Sequence, residues 1–299
     1  MQLPPPLSAG ARVALVAPAG PLRGEQDLQA AIAHATSLGW EPVVAPHALS
    51  RHGYLAGTDE QRAGDFNAAL RDDGVDGIWC LRGGYGAMRI LDALDYDAMR
   101  RHPRPLLGYS DITALHCAVN VRCAVVTYHA PTARADLTEF SRHSLLRAVV
   151  EQVDCCGRAP LARTLRGGRA AGRLVGGNLA LLAALAGTPY APDYSDAILV
   201  LEDVGEANYR IDRMLRQLRL SGAFDRLAGI AFGQFTEGVD PLDTESCALD
   251  EILREAADAA RVPAVAGIPL GHIDDQWTVP LGARAELDAD ARTLHVVSS

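Results

Sequence analysis

Short apolar runs alternate with segments of helical period over the first 120 or so residues. Arg12-Val13-Ala14-Leu15-Val16-Ala17 is stopped by Pro18, with Gly20 and Pro21 behind it, which predicts a buried strand feeding a loop. Leu28, Ala31, Ile32 and Ala35 then recur at helical spacing over 25–38, ending at Gly39. Glu41–Val44, Gly77–Cys80 and Pro105–Leu107 read as further strands, with helical patterns over about 58–72 and 87–99 between them. Strand alternating with helix implies a parallel sheet covered on both faces, whose sites lie beyond the carboxyl ends of its strands.

The pattern loses its period over 151–171, where Cys155-Cys156-Gly157, Pro160, Gly167-Gly168 and several arginines stand together. This predicts a connector, so the chain divides into 1–150, a linker at 151–170, and 171–299. Beyond it come a Gly-rich turn, Gly176-Gly177-Asn178, and an apolar helix to about Ala186. A strand at Ala197–Leu201 precedes a helix over roughly 208–221, whose Ile211, Met214, Leu215 and Leu218 share one face. A strand near 228–232, a helix near 246–260 and a terminal hairpin, Arg284–Leu287 with Thr293–Val297, complete the second half. The fold class is therefore α/β: an N-terminal doubly wound parallel-sheet domain and a smaller C-terminal α/β domain.

A chain of 299 residues can bury a full core without staples. Its net charge of −9 argues against a nucleic-acid partner, which needs a concentrated basic face. The chain contains no lysine, so all 28 basic residues are arginine. That excludes P-loop phosphate binding, Schiff bases and serine–lysine dyads. The prolines at 4–6 and the lack of a basic leader argue against a secretion signal, and no apolar run approaches the ~20 residues of a membrane span. The six cysteines, Cys80, Cys117, Cys123, Cys155, Cys156 and Cys247, show no CxxC spacing and fit reduced thiols in a cytoplasmic protein.

Chemistry could sit at three places. In Leu106-Leu107-Gly108-Tyr109-Ser110-Asp111, an apolar strand meets G-x-S and then a helical pattern, the strand–turn–helix context of a nucleophile elbow. The motif is incomplete, since Ile112 stands where a second glycine would, and a helix N-cap serine fits the local pattern too. Leu199-Val200-Leu201-Glu202-Asp203-Val204-Gly205-Glu206 places carboxylates at a strand's carboxyl end, with Glu202 first in line; loop acids are the plainer account. Gly267-Ile268-Pro269-Leu270-Gly271-His272 sets a histidine on a loop bracketed by Pro269 and Gly271. Ser110, Glu202 and His272 follow the chain order of nucleophile, acid and base in many serine hydrolases. A neutral serine hydroxyl needs an imidazole to take its proton, and the imidazole needs a carboxylate to hold its tautomer. A fourth segment, Arg82-Gly83-Gly84-Tyr85-Gly86, lets backbone approach a ligand and offers Gly84 as an oxyanion donor. It is no dinucleotide fingerprint, because Arg89 stands where the third glycine would.

Together these segments are similar to the LD-carboxypeptidases that trim murein tetrapeptides, relatives of the microcin C self-immunity peptidase. The resemblance is carried by Val-Ala-Pro-Ala-Gly (16–20), Arg-Gly-Gly-Tyr-Gly (82–86), Gly-Tyr-Ser-Asp-Ile-Thr (108–113), Gly-Gly-Asn-Leu (176–179), Leu-Glu-Asp-Val-Gly-Glu (201–206), Asp-Arg-Met-Leu (212–215), Gly-His (271–272) and Val-Pro-Leu-Gly (279–282). Ala19 stands where family members often carry serine. The resemblance implies a serine peptidase acting on a small murein peptide in cytoplasmic peptidoglycan recycling. Ser110 would be nucleophile, His272 general base and acid, Glu202 its orienting partner, and the backbone N–H groups of Gly84 and Asp111 the oxyanion hole. It also implies a homodimer, no metal and no cofactor. The alternatives are a microcin-immunity-like peptidase acting on aminoacyl-nucleotide conjugates and a non-catalytic peptide-binding protein. A glutamine-amidotransferase-like domain would carry cysteine at the elbow, where Ser110 stands.

Overall fold

The apolar runs of the first half become one sheet in the computed structural model, which describes residues 1–240 and 246–297. Strands β1 (Arg12–Val16), β2 (Glu41–Val44), β3 (Gly77–Cys80), β4 (Leu106–Gly108) and β5 (Thr127–His129) pair in parallel in the order β5-β4-β3-β1-β2. Helices α1 (Glu25–Ser37), α2 (Asp59–Arg71), α3 (Tyr96–Arg101), α4 (Thr113–Cys123) and α5 (Glu139–Leu146) cover the two faces. Helix α2 starts at a capping box: Thr58 Oγ1 accepts from Gln61 N, and Gln61 Oε1 accepts from Thr58 N, satisfying two otherwise unpaired donors. The segment 87–99 is not the single helix its pattern suggests. A 3-10 turn, Ala87–Ala93, stops before Asp95, which caps α3 by accepting from Ala98 N.

The second sheet has eight strands in the order β6-β14-β13-β8-β9-β10-β11-β7. These are β6 (Gly157–Arg158), β7 (Arg163–Arg166), β8 (Arg169–Asn178), β9 (Ala197–Val204), β10 (Gly229–Thr236), β11 (Ala264–Ala266), β13 (Arg284–Asp288) and β14 (Thr293–Val296). Its central four, β8 to β11, are parallel. Helices α6 (Leu179–Leu185), α7 (Asn208–Leu220) and α8 (Leu249–Ala260) pack on one face. Two sequence expectations change here. The stretch read as a connector supplies two edge strands of this sheet, β6 and β7, too short and polar to show a period. Gly176-Gly177-Asn178 is no turn but the buried end of β8, beside β9. Residues 298–299 of the expected C-terminal span lie outside the described residues.

The chain then crosses back. β12 (Val279–Leu281) leaves the second half and pairs antiparallel with β5, adding a sixth strand to the first sheet. Helix α4, buried from Thr113 to Asn120, packs against β5, α6 and β8. One apolar core therefore runs from Val16, Ile78 and Leu106 through Leu115 to Leu182, Leu199 and Leu201. Each such leucine contributes roughly 2 kcal/mol by leaving water, so this shared core packs the two sheets together around α4. No helix among the described residues is long and apolar enough to cross a membrane.

Candidate active site

Strand β4 ends at Gly108, and the chain turns sharply through Tyr109 and Ser110 into a 3-10 turn, Ser110–Ile112, that runs on into α4. Ser110 has φ +66°, a left-handed conformation that L-residues rarely adopt. Such strain persists only where the surroundings hold it. Here the Gly108 carbonyl accepts from His116 Nε2 at 2.8 Å and from Ala130 N at 3.0 Å. The Asp111 carboxylate accepts from Ala87 N at 2.7 Å, tying the turn to the Gly-rich loop. Burial raises the Asp111 carboxyl to about 6, although that N–H and the Arg62 charge oppose the rise. These contacts make Ser110 the projecting residue of an elbow rather than a helix cap.

Three distant segments meet at its hydroxyl. His272 Nε2 lies 3.1 Å from Ser110 Oγ, and His272 Nδ1 lies 2.8 Å from Glu202 Oε2. With Nδ1–H donating to the carboxylate, Nε2 is left to accept the serine proton. Glu202 sits inside β9, not beyond it, and is fully buried; Oε1 has no partner among the described residues. His272 rides on the crossing from β11 to β12, so its position depends on the chain joining both sheets. Gly271, at φ +120°, makes that approach possible: a Cβ there would stand 3.0 Å from Glu202 Cβ. The neighbouring acid, Asp203, takes another part. It accepts from Asn178 Nδ2 and Ala180 N at 2.9 Å each, holding the start of α6, and burial raises its carboxyl to about 6.

Gly83 packs directly on Ser110; a Cβ there would lie 3.1 Å from Ser110 Oγ and 3.2 Å from Asp111 N. The Gly83 carbonyl accepts from Gly20 N at 3.0 Å, which braces the loop. Among the described residues the N–H groups of Gly84 and Asp111 have no hydrogen-bond partner, and Asp111 N belongs to the turn that carries the Ser110 hydroxyl. The site thus holds a hydroxyl, a base, a buried acid and free amides, the set that acyl transfer requires. No group of three or more His, Cys, Asp or Glu able to hold a metal stands among the described residues.

Sequence reasoning left three neighbours without a role. The Tyr109 ring lies 4.8 Å from that of His272 and 5.7 Å from that of His129. Burial first, and the nearby Glu202 charge second, raise the Tyr109 phenol. His116 and His129 are fully buried; burial lowers His116 to about 4 and holds His129 well below the usual imidazole range. A histidine six residues after a candidate nucleophile, on the helix that follows it, was the one available signal for His116.

The family model described as the LD-carboxypeptidase N-terminal domain matches residues 13–130, and that of the LD-carboxypeptidase C-terminal domain matches 171–287. The murein tetrapeptide carboxypeptidase of Pseudomonas aeruginosa is 35% identical, over 93% of this chain and 94% of its own. The crystal structure of muramoyltetrapeptide carboxypeptidase from Oxalobacter formigenes superposes with a TM-score of 0.85 at 30% identity, covering 96% of this chain and 98% of that one. The microcin C7 self-immunity protein MccF from Escherichia coli is 25% identical over 81% of this chain and 80% of its own. Its wild-type apo structure covers 100% of this chain and 99% of its own with a TM-score of 0.91 at 20% identity, a likeness of fold. With both halves matched in order around this site, the chain belongs to the LD-carboxypeptidase family of serine peptidases.

Proposed function

We propose that the protein hydrolyses the bond between an L-configured centre and the terminal D-alanine of a murein tetrapeptide, by a Ser110–His272–Glu202 triad. The observation that carries this reading is the unbroken hydrogen-bonded chain from Ser110 Oγ to the buried Glu202 carboxylate. Ser110 Oγ attacks the scissile carbonyl while His272 Nε2 takes its proton. Glu202 fixes the tautomer and stabilises the imidazolium. The amides of Gly84 and Asp111 hold the oxyanion, and the start of α4 adds its dipole. His272 then protonates the departing amine of D-alanine. Water, deprotonated by the same imidazole, attacks the acyl-enzyme and restores Ser110. The family resemblance carries the rest of the reading: a place in cytoplasmic peptidoglycan recycling, and a homodimer.

Incubation with murein tetrapeptide tests this reading. Ser110→Ala should lower D-alanine release by about 10⁴-fold or more while leaving the fold intact. Equal release by the variant refutes the serine mechanism. Faster turnover of an aminoacyl sulfamoyl adenylate than of the tetrapeptide moves the enzyme to the immunity-peptidase class. Tight peptide binding, with no label on Ser110 from a serine-reactive phosphonate, makes it a binding protein.

A further inference from the structure

Four loops that leave the carboxyl edge of the first sheet each bring an arginine to the same side as Ser110. Arg23 follows β1, Arg51 follows β2, Arg82 follows β3 and Arg134 follows β5. They share one place. Arg82 Nη1 donates to Pro21 O at 2.7 Å, and Arg51 Nη2 donates to the adjoining Leu22 O at 3.0 Å. Burial and then the charges of Arg134, Arg23 and Arg51 lower Arg82 from its ordinary value, and Asp27 is the acid among them. That acid is partly engaged already: it accepts from Arg23 N at 3.0 Å, with Arg134 Nη1 at 3.9 Å. A chain of net charge −9 has thus gathered four cations around one carboxylate.

Two of these guanidiniums keep donors without partners among the described residues. Arg82 Nε lies 3.8 Å from where a Cβ on Gly84 or on Gly20 would stand, so its side chain flanks the backbone that offers the oxyanion amide. Among the described residues only its Nη1 has a partner. Arg134 Nε is buried and unpartnered. Arg62 and Arg89, the next arginines along this edge, already hold Pro18 O, Gly86 O and the Asp59 carboxylate with their other donors, although Arg62 Nε, like that of Arg134, is buried without a partner.

We infer that Arg82 and Arg134 form the subsite that grips the free C-terminal carboxylate of the peptide, with Arg23 and Arg51 supplying its positive field. The inference rests on the peptidase reading above. An enzyme that removes one terminal residue must sense the chain end, and successive Cα atoms lie only ~3.8 Å apart, so the carboxylate of the leaving residue falls within a few ångströms of the scissile carbonyl. Arginine matches a carboxylate with paired donors, and a chain without lysine has no other permanently charged side chain to use. A bound carboxylate also relieves the mutual repulsion of the four guanidiniums.

The test compares a murein tetrapeptide with its C-terminal amide in the wild type, Arg82→Gln, Arg134→Gln and Arg82→Lys. The wild type should cleave the acid about 100-fold better in kcat/KM than the amide. Each Gln variant should lose about 10- to 100-fold on the acid, chiefly through KM, and so narrow the ratio of acid to amide cleavage; Arg82→Lys should recover part of the loss. Full acid preference in both Gln variants overturns the inference, as does a wild type indifferent to the amide. If the wild type cleaves neither peptide, the peptidase reading fails, and the subsite is read separately by protection of Ser110 from an uncharged fluorophosphonate by N-acetyl-D-alanine. Protection lost in the Gln variants supports the inference, and protection equal in all overturns it.

Discussion

Ser110 and Glu202 end the same hydrogen-bonded chain but are held in different ways. Ser110 is held locally. Its left-handed backbone is braced within the first sheet by His116 and Ala130 on the Gly108 carbonyl, and by Asp111 on Ala87 N. Glu202 has no such net. It is fixed by regular pairing in β9 and complete burial, and one carboxylate oxygen has His272 as its partner. Ser110 holds strain that a compact turn can contain. The acid, by contrast, spends burial, which keeps its field strong and points it at one partner. His272 belongs to neither arrangement, because it rides on the strand-to-strand crossing that ties the second sheet to the first.

This contrast breaks most sharply at the acid. Glu202→Gln keeps size and burial but removes the charge and permits the wrong imidazole tautomer. It should lower kcat by about 10⁴-fold with little change in melting temperature. A loss under tenfold would mean that His272 is oriented by something else. Next comes the packing on Ser110. Gly83→Ala puts a methyl 3.1 Å from Ser110 Oγ and 3.2 Å from Asp111 N. A displacement of that order should cost about 100-fold in kcat with KM nearly constant, and unchanged kcat would show that the elbow gives way freely.

The smallest effect is read in stability against pH. His116, lowered by burial to about 4, stays neutral in the folded protein, whereas the unfolded chain binds a proton near 6.5. Its contribution is therefore complete above about pH 6.5 and lost as pH falls toward 4, and His129, also lowered by burial, acts in the same sense. Asp111 and Asp203, raised to about 6, act oppositely: they favour the fold at low pH and lose that contribution as pH rises through 6. His116→Gln preserves a donor to the Gly108 carbonyl but does not titrate. Denaturant midpoints between pH 6.5 and 4 should fall less steeply for this variant, by about 3 kcal/mol at the acid end. Identical slopes would show that His116 carries no proton linkage.

Much of the first sheet was legible along the chain, since strands such as Gly77–Cys80 and helices such as α1 are written in local periods. The elbow was half legible: strand, G-x-S and helix can be read, but the φ of Ser110 cannot. Misreadings fell where a residue answers to a distant neighbour. Gly176 looks like a turn, yet a Cβ there would run into the Val200 carbonyl oxygen, so glycine serves close strand packing. β5 and β12 have three residues each, too few for a period to show, and they form because they pair with each other.

What the sequence determined by itself was the class of fold, the candidate residues and their order, because periodicity and turn chemistry act over neighbours a few positions apart. Tertiary structure alone decided that residues 110, 202 and 272 form one hydrogen-bonded chain, that the histidine sits on the loop crossing between the sheets, and that four arginines from four loops converge. Those contacts join segments far apart in the chain, and their geometry follows from how the two sheets pack around α4, which no local pattern encodes.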